Sequence, residues 1–179
     1  MNNKRQVILV ILTSALLSIS LALYNNFPFT YPDSAGYLAS GIDNNLPSDR
    51  PIFYGWFLRY THFNDNLMFS ILAQGLLASY VLYLFFKAFS RSVNKKLHFL
   101  LSVGFLCAFT GYSFFTSFLM PDIFTPLLLI SMATIVYGNL TGANLWTISL
   151  ICFYSTLVHS SHFPLYLGCL LLLGGGGNC

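Results

Sequence analysis

Acidic residues are scarce in this chain: its 179 residues include five aspartates and no glutamate, and only 7% of positions are charged. A soluble domain carries roughly 25% charge, so a fold with a solvated polar surface is excluded. Eight lysines and arginines leave a formal charge of +3. They sit at the ends of apolar runs and form no basic stripe with interleaved aromatics, which excludes a nucleic-acid partner. Cysteine is also sparse. Cys107, Cys152, Cys169 and Cys179 show no CxxC or metal-ligand spacing. The first three lie inside apolar runs, where a thiol behaves as a small hydrophobe, so no disulfide framework is implied.

What fills the chain is apolar: 56% of residues are hydrophobic, and the mean hydropathy is +0.69. This composition is that of an integral membrane protein. Six apolar stretches stand out, at Val7 to Tyr24, Leu67 to Phe86, Leu97 to about Phe115, Ile123 to Tyr137, Leu145 to Val158 and Phe163 to Leu173. Crossing the hydrocarbon layer takes roughly 20 helical residues, so the last three must tilt, thin the bilayer locally or extend into their turns. The first run follows Lys4 and Arg5 as a signal peptide would. It exceeds the usual core of roughly 7–15 residues and has no convincing small-x-small cleavage site before Tyr24, so it reads as a retained anchor. The expected fold is all-α, a single transmembrane domain over residues 1–179 with about six spans and short interfacial helices in the first external loop, about 25–66.

Charge sets the orientation. With the amino terminus in the cytoplasm, Lys4, Arg5, Lys87, Arg91, Lys95 and Lys96 lie inside and only Arg50 and Arg59 outside, as the positive-inside rule demands. Every carboxylate (Asp33, Asp43, Asp49, Asp65 and Asp122) then falls in an odd-numbered, external connection. The first loop, the Thr116 to Asp122 turn and the His159 to His162 turn meet the same outer surface. The expected location is the plasma membrane, multi-pass, with the candidate sites extracytoplasmic and membrane lipids as surroundings.

Two short pieces are legible in the first loop. Tyr31 to Gly41 has Pro32 and Asp33 at its start and a glycine at its end, so it reads as one or two helical turns, with Asp33 and Tyr37 on one face by their i, i+4 spacing. Arg50 to Tyr60 is dense in aromatics. Tyr54, Trp56 and Tyr60 favour the headgroup level, so an interfacial helix is expected there.

Each candidate residue admits two readings. Asp33 is either a general base that takes a proton from an acceptor hydroxyl, or a helix cap contributing about 1 kcal/mol. Asp122, between two apolar helices, is either functional, as interfacial acids are by default, or a cap favoured by the dipole of the next helix. His159 and His162 are three apart and project to one side if their helix continues, where they would ligate a metal or contact a phosphate. The alternative is a pair of turn residues with one solvated. Adding Asp33 and Asp122 to the histidines makes a four-ligand cluster only if the helices bring them together. Arg50 and Arg59 either clamp a phosphate, or contact a lipid headgroup or pair with Asp49 or Asp43. His62 and His98 have no partner by spacing and read as interfacial.

An amino-terminal anchor, a long external loop opening with Asp33-x-x-x-Tyr37, an Arg50-Pro51 run reaching Tyr54, and a second external turn ending in Pro121-Asp122 together resemble the shared membrane module of the GT-C glycosyltransferases. These polytopic enzymes move a sugar from a polyprenyl-phosphate carrier to an acceptor outside the membrane. The resemblance spans about Lys4 to Pro164. It implies that Asp33 is the first-loop acid serving as catalytic base or metal ligand, and that Asp122 is the second-loop acid near the carrier phosphate. It further implies substrate contacts from Tyr37, Arg50, Tyr54, His159 and His162. The implied partner is a polyprenyl-phosphate sugar donor, with the acceptor unspecified; no cofactor is assigned, and the resemblance leaves open a divalent ion, Mg or Mn, on Asp33 and Asp122, which some members of the family use. Such enzymes use no ATP, consistent with the absence of a GxxxxGK[ST] loop.

The chain departs from that family in having fewer spans and in ending in four glycines before Asn178 and Cys179. Each glycine costs a helix roughly 1 kcal/mol against alanine. The expectation is therefore the amino-terminal piece of a longer protein, lacking part of the carrier cavity and inactive by itself. Two rival readings stand beside the enzyme: a non-catalytic integral membrane protein or fragment, and a small-solute or ion transporter. A transporter needs polar groups near mid-membrane, where Gln74 is the main example.

Overall fold

A computed structural model of the chain describes residues 3–62 and 65–175, and the terminal stretch Gly176 to Cys179 lies outside them. The described residues fold into ten α-helices: α1 (Asn3–Ser18), α2 (Ser20–Asn25), α3 (Pro32–Asp43), α4 (Phe53–Thr61), α5 (Met68–Phe89), α6 (Lys95–Phe109), α7 (Tyr112–Thr116), α8 (Phe124–Tyr137), α9 (Gly142–Leu157) and α10 (His162–Gly175). A 3-10 turn, Pro121–Ile123, leads into α8. The all-α expectation is borne out. Of the six expected spans, α5 alone is long and apolar enough to cross a bilayer as one described helix; Pro121–Tyr137 and His162–Leu171 are apolar but shorter.

Two expected runs are interrupted. The first divides at Ile19, although Ile19 N–H still reaches the Ala15 carbonyl at 3.1 Å and Leu23 N–H the Ile19 carbonyl at 3.0 Å. Ser18 Oγ also donates to the Ala15 carbonyl, at 2.8 Å. A serine bonding back into the preceding turn bends a helix without breaking it. The third run stops at Thr110, whose backbone is extended (φ −132°, ψ 174°), and resumes as α7 after Gly111.

An apolar core is joined by many buried small polar residues, and some outer helix faces are apolar. Ser14, Ser18, Ser70, Gln74, Ser79, Ser131 and Ser155 are buried, while Leu97, Leu101, Phe105 and Phe109 form an exposed stripe along α6, joined by Trp146, Leu150 and Phe153 on α9. Small residues let α1 and α5 approach closely: a Cβ on Gly75 would lie 2.7 Å from Ile19 Cγ2 and 3.2 Å from the Ala15 carbonyl oxygen. Ser14 Oγ donates to Ser79 Oγ across the same contact at 2.9 Å.

The two ends of the assembly differ in chemistry. At one, Lys96 Nζ donates to Asn3 Oδ1 at 2.8 Å and Lys95 Nζ to the Lys87 carbonyl at 3.4 Å, so the basic residues of α1, α5 and α6 gather there. At the other, the segment before α3 pairs with the turn after α7: Phe29 N–H donates to the Ser117 carbonyl at 3.0 Å, and Leu119 N–H to the Phe29 carbonyl at 2.8 Å. This single bridge, Phe29 with Phe118, brings the Asp33 loop and the Asp122 turn to one end.

Candidate functional site

The site is built on α3 and α4. Pro32 opens α3, and Tyr31 caps it: Tyr31 N–H donates to Ser34 Oγ at 2.9 Å, and Ser34 N–H to the Tyr31 carbonyl at 2.8 Å. Asp33 is therefore not the cap residue, and the capping alternative fails there. The helix also runs through Gly41 to Asp43 and ends at Asn44 in the left-handed conformation (φ 51°). Gly41 is not the expected stop because it is a contact point: a Cβ there would stand 2.1 Å from the Gly55 carbonyl oxygen. Only two glycines let α3 and α4 pack this closely.

With Asp33 and Tyr37 one turn apart on α3, both meet Arg50. Arg50 Nη2 contacts Asp33 Oδ1 at 3.3 Å and Asp49 Oδ2 at 2.6 Å, and Nε donates to Asp49 Oδ2 at 3.0 Å. The guanidinium carbon lies 5.0 Å from the centroid of the Tyr37 ring. Asp49 is thus the tight partner and Asp33 the loose one. Hydrogen bonding to Arg50 holds the Asp49 carboxyl below its usual range, and the same bond raises Arg50. Asp33, Tyr37, Asp49, Arg50 and Pro51 line a small open notch of about 160 Å³ together with His159 and Ser160 from the third connection. Asp49 was missed as a site residue; its adjacency to Arg50 was the available signal.

Beneath the notch the aromatics stack in depth. Tyr37 meets the Tyr54 ring edge-on, with centroids 5.2 Å apart, and Tyr54 is fully buried. Tyr54 is therefore neither a headgroup anchor nor a surface contact for a ligand, because Tyr37 lies between it and the notch. Burial raises Tyr37, partly offset by the Arg50 cation, and burial drives Tyr54 well above the ordinary phenol value. Tyr54 O–H donates to Gln74 Oε1 at 2.9 Å, and Gln74 Nε2 donates to the Thr116 carbonyl at 3.2 Å and the Phe118 carbonyl at 3.0 Å. Trp56 and Tyr60 stay exposed.

Asp122 keeps an exposed carboxylate. The helix it precedes is capped at Ile123 without a side-chain hydrogen bond. It lines a second, mainly apolar recess of about 330 Å³ with Tyr112, Phe115, Ile123 and Pro126. The two acids thus open onto different recesses at one end of the molecule, and the charges of both act on Tyr37. The expected four-ligand cluster does not form: among the described residues no group of three or more His, Cys, Asp or Glu side chains is placed to hold a metal ion. Two carboxylates in separate recesses do not fit a shared divalent ion, so no chemistry is derived through one.

The histidines divide: His159 lies in the connection after α9, and His162 opens α10. His159 is half-exposed at the notch and accepts from the Ser161 hydroxyl at Nδ1, 2.8 Å away, and from Ser161 N–H at 3.3 Å; the neutral ring then carries its proton on Nε2. His162 is 2% exposed. Its Nδ1 faces the Ser155 carbonyl at 2.6 Å and its Nε2 the Thr125 hydroxyl at 2.6 Å. Both ring nitrogens are spent on holding α8, α9 and α10 together, so His162 is a strut rather than a ligand. Arg59 is likewise structural, donating from Nη1 to the carbonyls of Gly41 at 3.0 Å and Ile42 at 3.3 Å at the end of α3. His62 is buried, whereas His98 is exposed at the basic end.

Among the described residues, fold and site together define an all-helical protein with apolar outer faces and a polar notch at the end opposite the basic residues of α1, α5 and α6. No protein-family model matches the chain, and no curated protein or solved structure matches it.

Proposed function

We propose that this chain is the membrane module of a GT-C-type glycosyltransferase. In this reading it crosses the plasma membrane with about six helices, keeps its amino terminus in the cytoplasm, and transfers a sugar from a polyprenyl-phosphate carrier to an acceptor outside. The exposed leucines and phenylalanines of α6 and α9, with serines buried inside the bundle, support lipid contact on the outer faces.

The observation that carries the catalytic part is the meeting of Asp33, Arg50 and His159 in one open notch over Tyr37. Asp33 takes the proton of the acceptor hydroxyl as that oxygen bonds to the anomeric carbon. The bond from that carbon to the carrier phosphate breaks, and its electron pair leaves on the phosphate oxygen. Arg50 and the Nε2–H of His159 supply donors for the departing anion. The notch holds two carboxylates against one guanidinium, so Arg50 must exchange its looser partner, Asp33, for the phosphate. That exchange also uncovers the base.

The test is sugar transfer from a polyprenyl-phosphate sugar by membranes carrying the protein. Asp33→Asn should lower the rate at least about 100-fold with folded material unchanged, and undiminished transfer would remove Asp33 from the reaction. Single cysteines at Asn45 and Ser92 check sidedness on intact cells: the first should label with an impermeant thiol reagent and the second should not. Solute flux into liposomes that depends on Asp122 would instead support a transporter.

A further inference from the structure

We propose that Gln74 is a positioning residue that ties the Asp33 loop to the Asp122 turn and sets how the two recesses face one another. It rests on the glycosyltransferase reading only in treating the two recesses as one site.

The geometry is complete around one side chain. Gln74 is 0% exposed, and three hydrogen bonds leave it in two directions. Toward α4 its Oε1 takes the Tyr54 hydroxyl, and Tyr54 carries the Tyr37 ring on which Arg50 sits. Toward the second external turn, Nε2 reaches the carbonyls of Thr116 and Phe118. Phe118 is the residue bridged to Phe29, four positions before Asp122. Only this orientation of the amide serves all three partners, because a phenol proton needs an acceptor and carbonyls need donors.

Neither amide hydrogen remains to engage a passing solute, which argues against Gln74 as a transport group. A polar side chain buried at this depth is costly unless fully bonded. Its bonds here run between loops rather than within α5. That is the arrangement of a cross-link and not of a helix filler.

The test reads loop geometry directly. In a chain whose native cysteines are replaced by serine, cysteines at Phe29 and Phe118 report the bridge through their rate of disulfide closure. Cysteines at Ser14 and Ser79, whose hydroxyls are 2.9 Å apart in the α1–α5 contact, serve as a control. Gln74→Met keeps the volume and removes every hydrogen bond. It should slow closure of the 29/118 pair about tenfold while leaving the 14/79 pair unchanged.

Closure of the 29/118 pair at the parent's rate would overturn the proposal. So would equal slowing of both, which is the signature of general loosening. If Gln74→Met does not fold, Gln74→Asn decides: it keeps an amide but is one methylene too short to serve α4 and the turn together, and the same selective slowing is expected. Because the readout needs no sugar transfer, undiminished transfer by Asp33→Asn together with Gln74-dependent closure would sink the enzyme reading and leave this one standing.

Discussion

The guanidinium carbon of Arg50 lies 5.0 Å from the centroid of the Tyr37 ring, and Tyr37 is itself 4% exposed. One planar cation therefore covers an aromatic face, grips Asp49 through two nitrogens and touches Asp33 at its edge. A cation over a ring contributes about 0.5–2 kcal/mol, depending on how far it is desolvated, and the Arg50 side chain is 21% exposed. Arg50→Ala should lower stability by about 1–2 kcal/mol. Arg50→Lys should recover only part of this, since an ammonium neither stacks nor forks. Thermal unfolding in detergent measures both, and an Arg50→Ala protein as stable as the parent contradicts the stacking account.

Gly41 and Gly55 form the closest backbone contact in the site. A methyl group on Gly41 would meet the Gly55 carbonyl oxygen at 2.1 Å, and one on Gly55 would meet Ser40 Oγ at 2.5 Å and the Tyr37 carbonyl at 2.8 Å. Backbone atoms cannot swing aside as a flexible side chain does. Overpacking of this kind costs about 1–3 kcal/mol or more, so either alanine substitution should lower the unfolding midpoint markedly. Gly104, with nothing within 4 Å of its notional Cβ, is the control: Gly104→Ala should be neutral or slightly stabilising. Equal behaviour at Gly41 and Gly104 would show that α3 and α4 do not pack as described.

Gly41 also shows why part of the site was illegible in sequence. A glycine after a short amphipathic piece signals a helix stop as readily as a close approach, and only the position of Gly55 in space decides between them. Tyr54 is a similar case, because its ring suits a membrane interface and a core equally well until Tyr37 is seen above it. The Asp33 to Tyr37 spacing was informative, since a helical period fixes a shared face whatever packs against it. The interruption at Ile19 had no local punctuation, whereas the one at Thr110 had Gly111 beside it. Gln74 announced by its polarity that it needed partners, but those partners come from α4 and from the turn after α7, far away in the chain.

Arg59 donates to the carbonyls of Gly41 and Ile42, which α3 leaves unpaired at its end. A cation there also complements the helix dipole, at about 0.3–1 kcal/mol for an exposed group. Arg59→Ala should therefore lower stability by about that amount. It should not change substrate KM if sugar transfer is established, because the side chain serves the helix and not the notch. A large KM effect with an unchanged melting temperature would restore Arg59 as a phosphate clamp.

Strong acid should weaken the Asp49–Arg50 pair. The Asp49 carboxyl is held below the usual value by the hydrogen bond to Arg50, so the stability it contributes is present above the unfolded value, about 3.9, and is lost as pH falls through the lower folded value. The melting temperatures of the parent and Asp49→Asn should converge on acidification below about pH 4. A gap that persists undiminished there would assign the effect of the substitution to something other than charge.

The alkaline side tests Tyr54. Burial raises its phenol well above 10, so the folded state resists ionisation that the unfolded chain undergoes at about pH 10. The sign follows from linkage: above that pH the unfolded state binds fewer protons than the folded one, and stability falls as pH rises. Tyr54→Phe removes this group. It costs about 1 kcal/mol at neutral pH, through the lost bond to Gln74, and the substituted protein should then lose less further stability between about pH 9 and 11 than the parent does. Melting temperature against pH for the two proteins is the measurement. Parallel curves would mean that Tyr54 ionises as freely in the folded protein as in the unfolded chain, which is incompatible with a ring sealed beneath Tyr37.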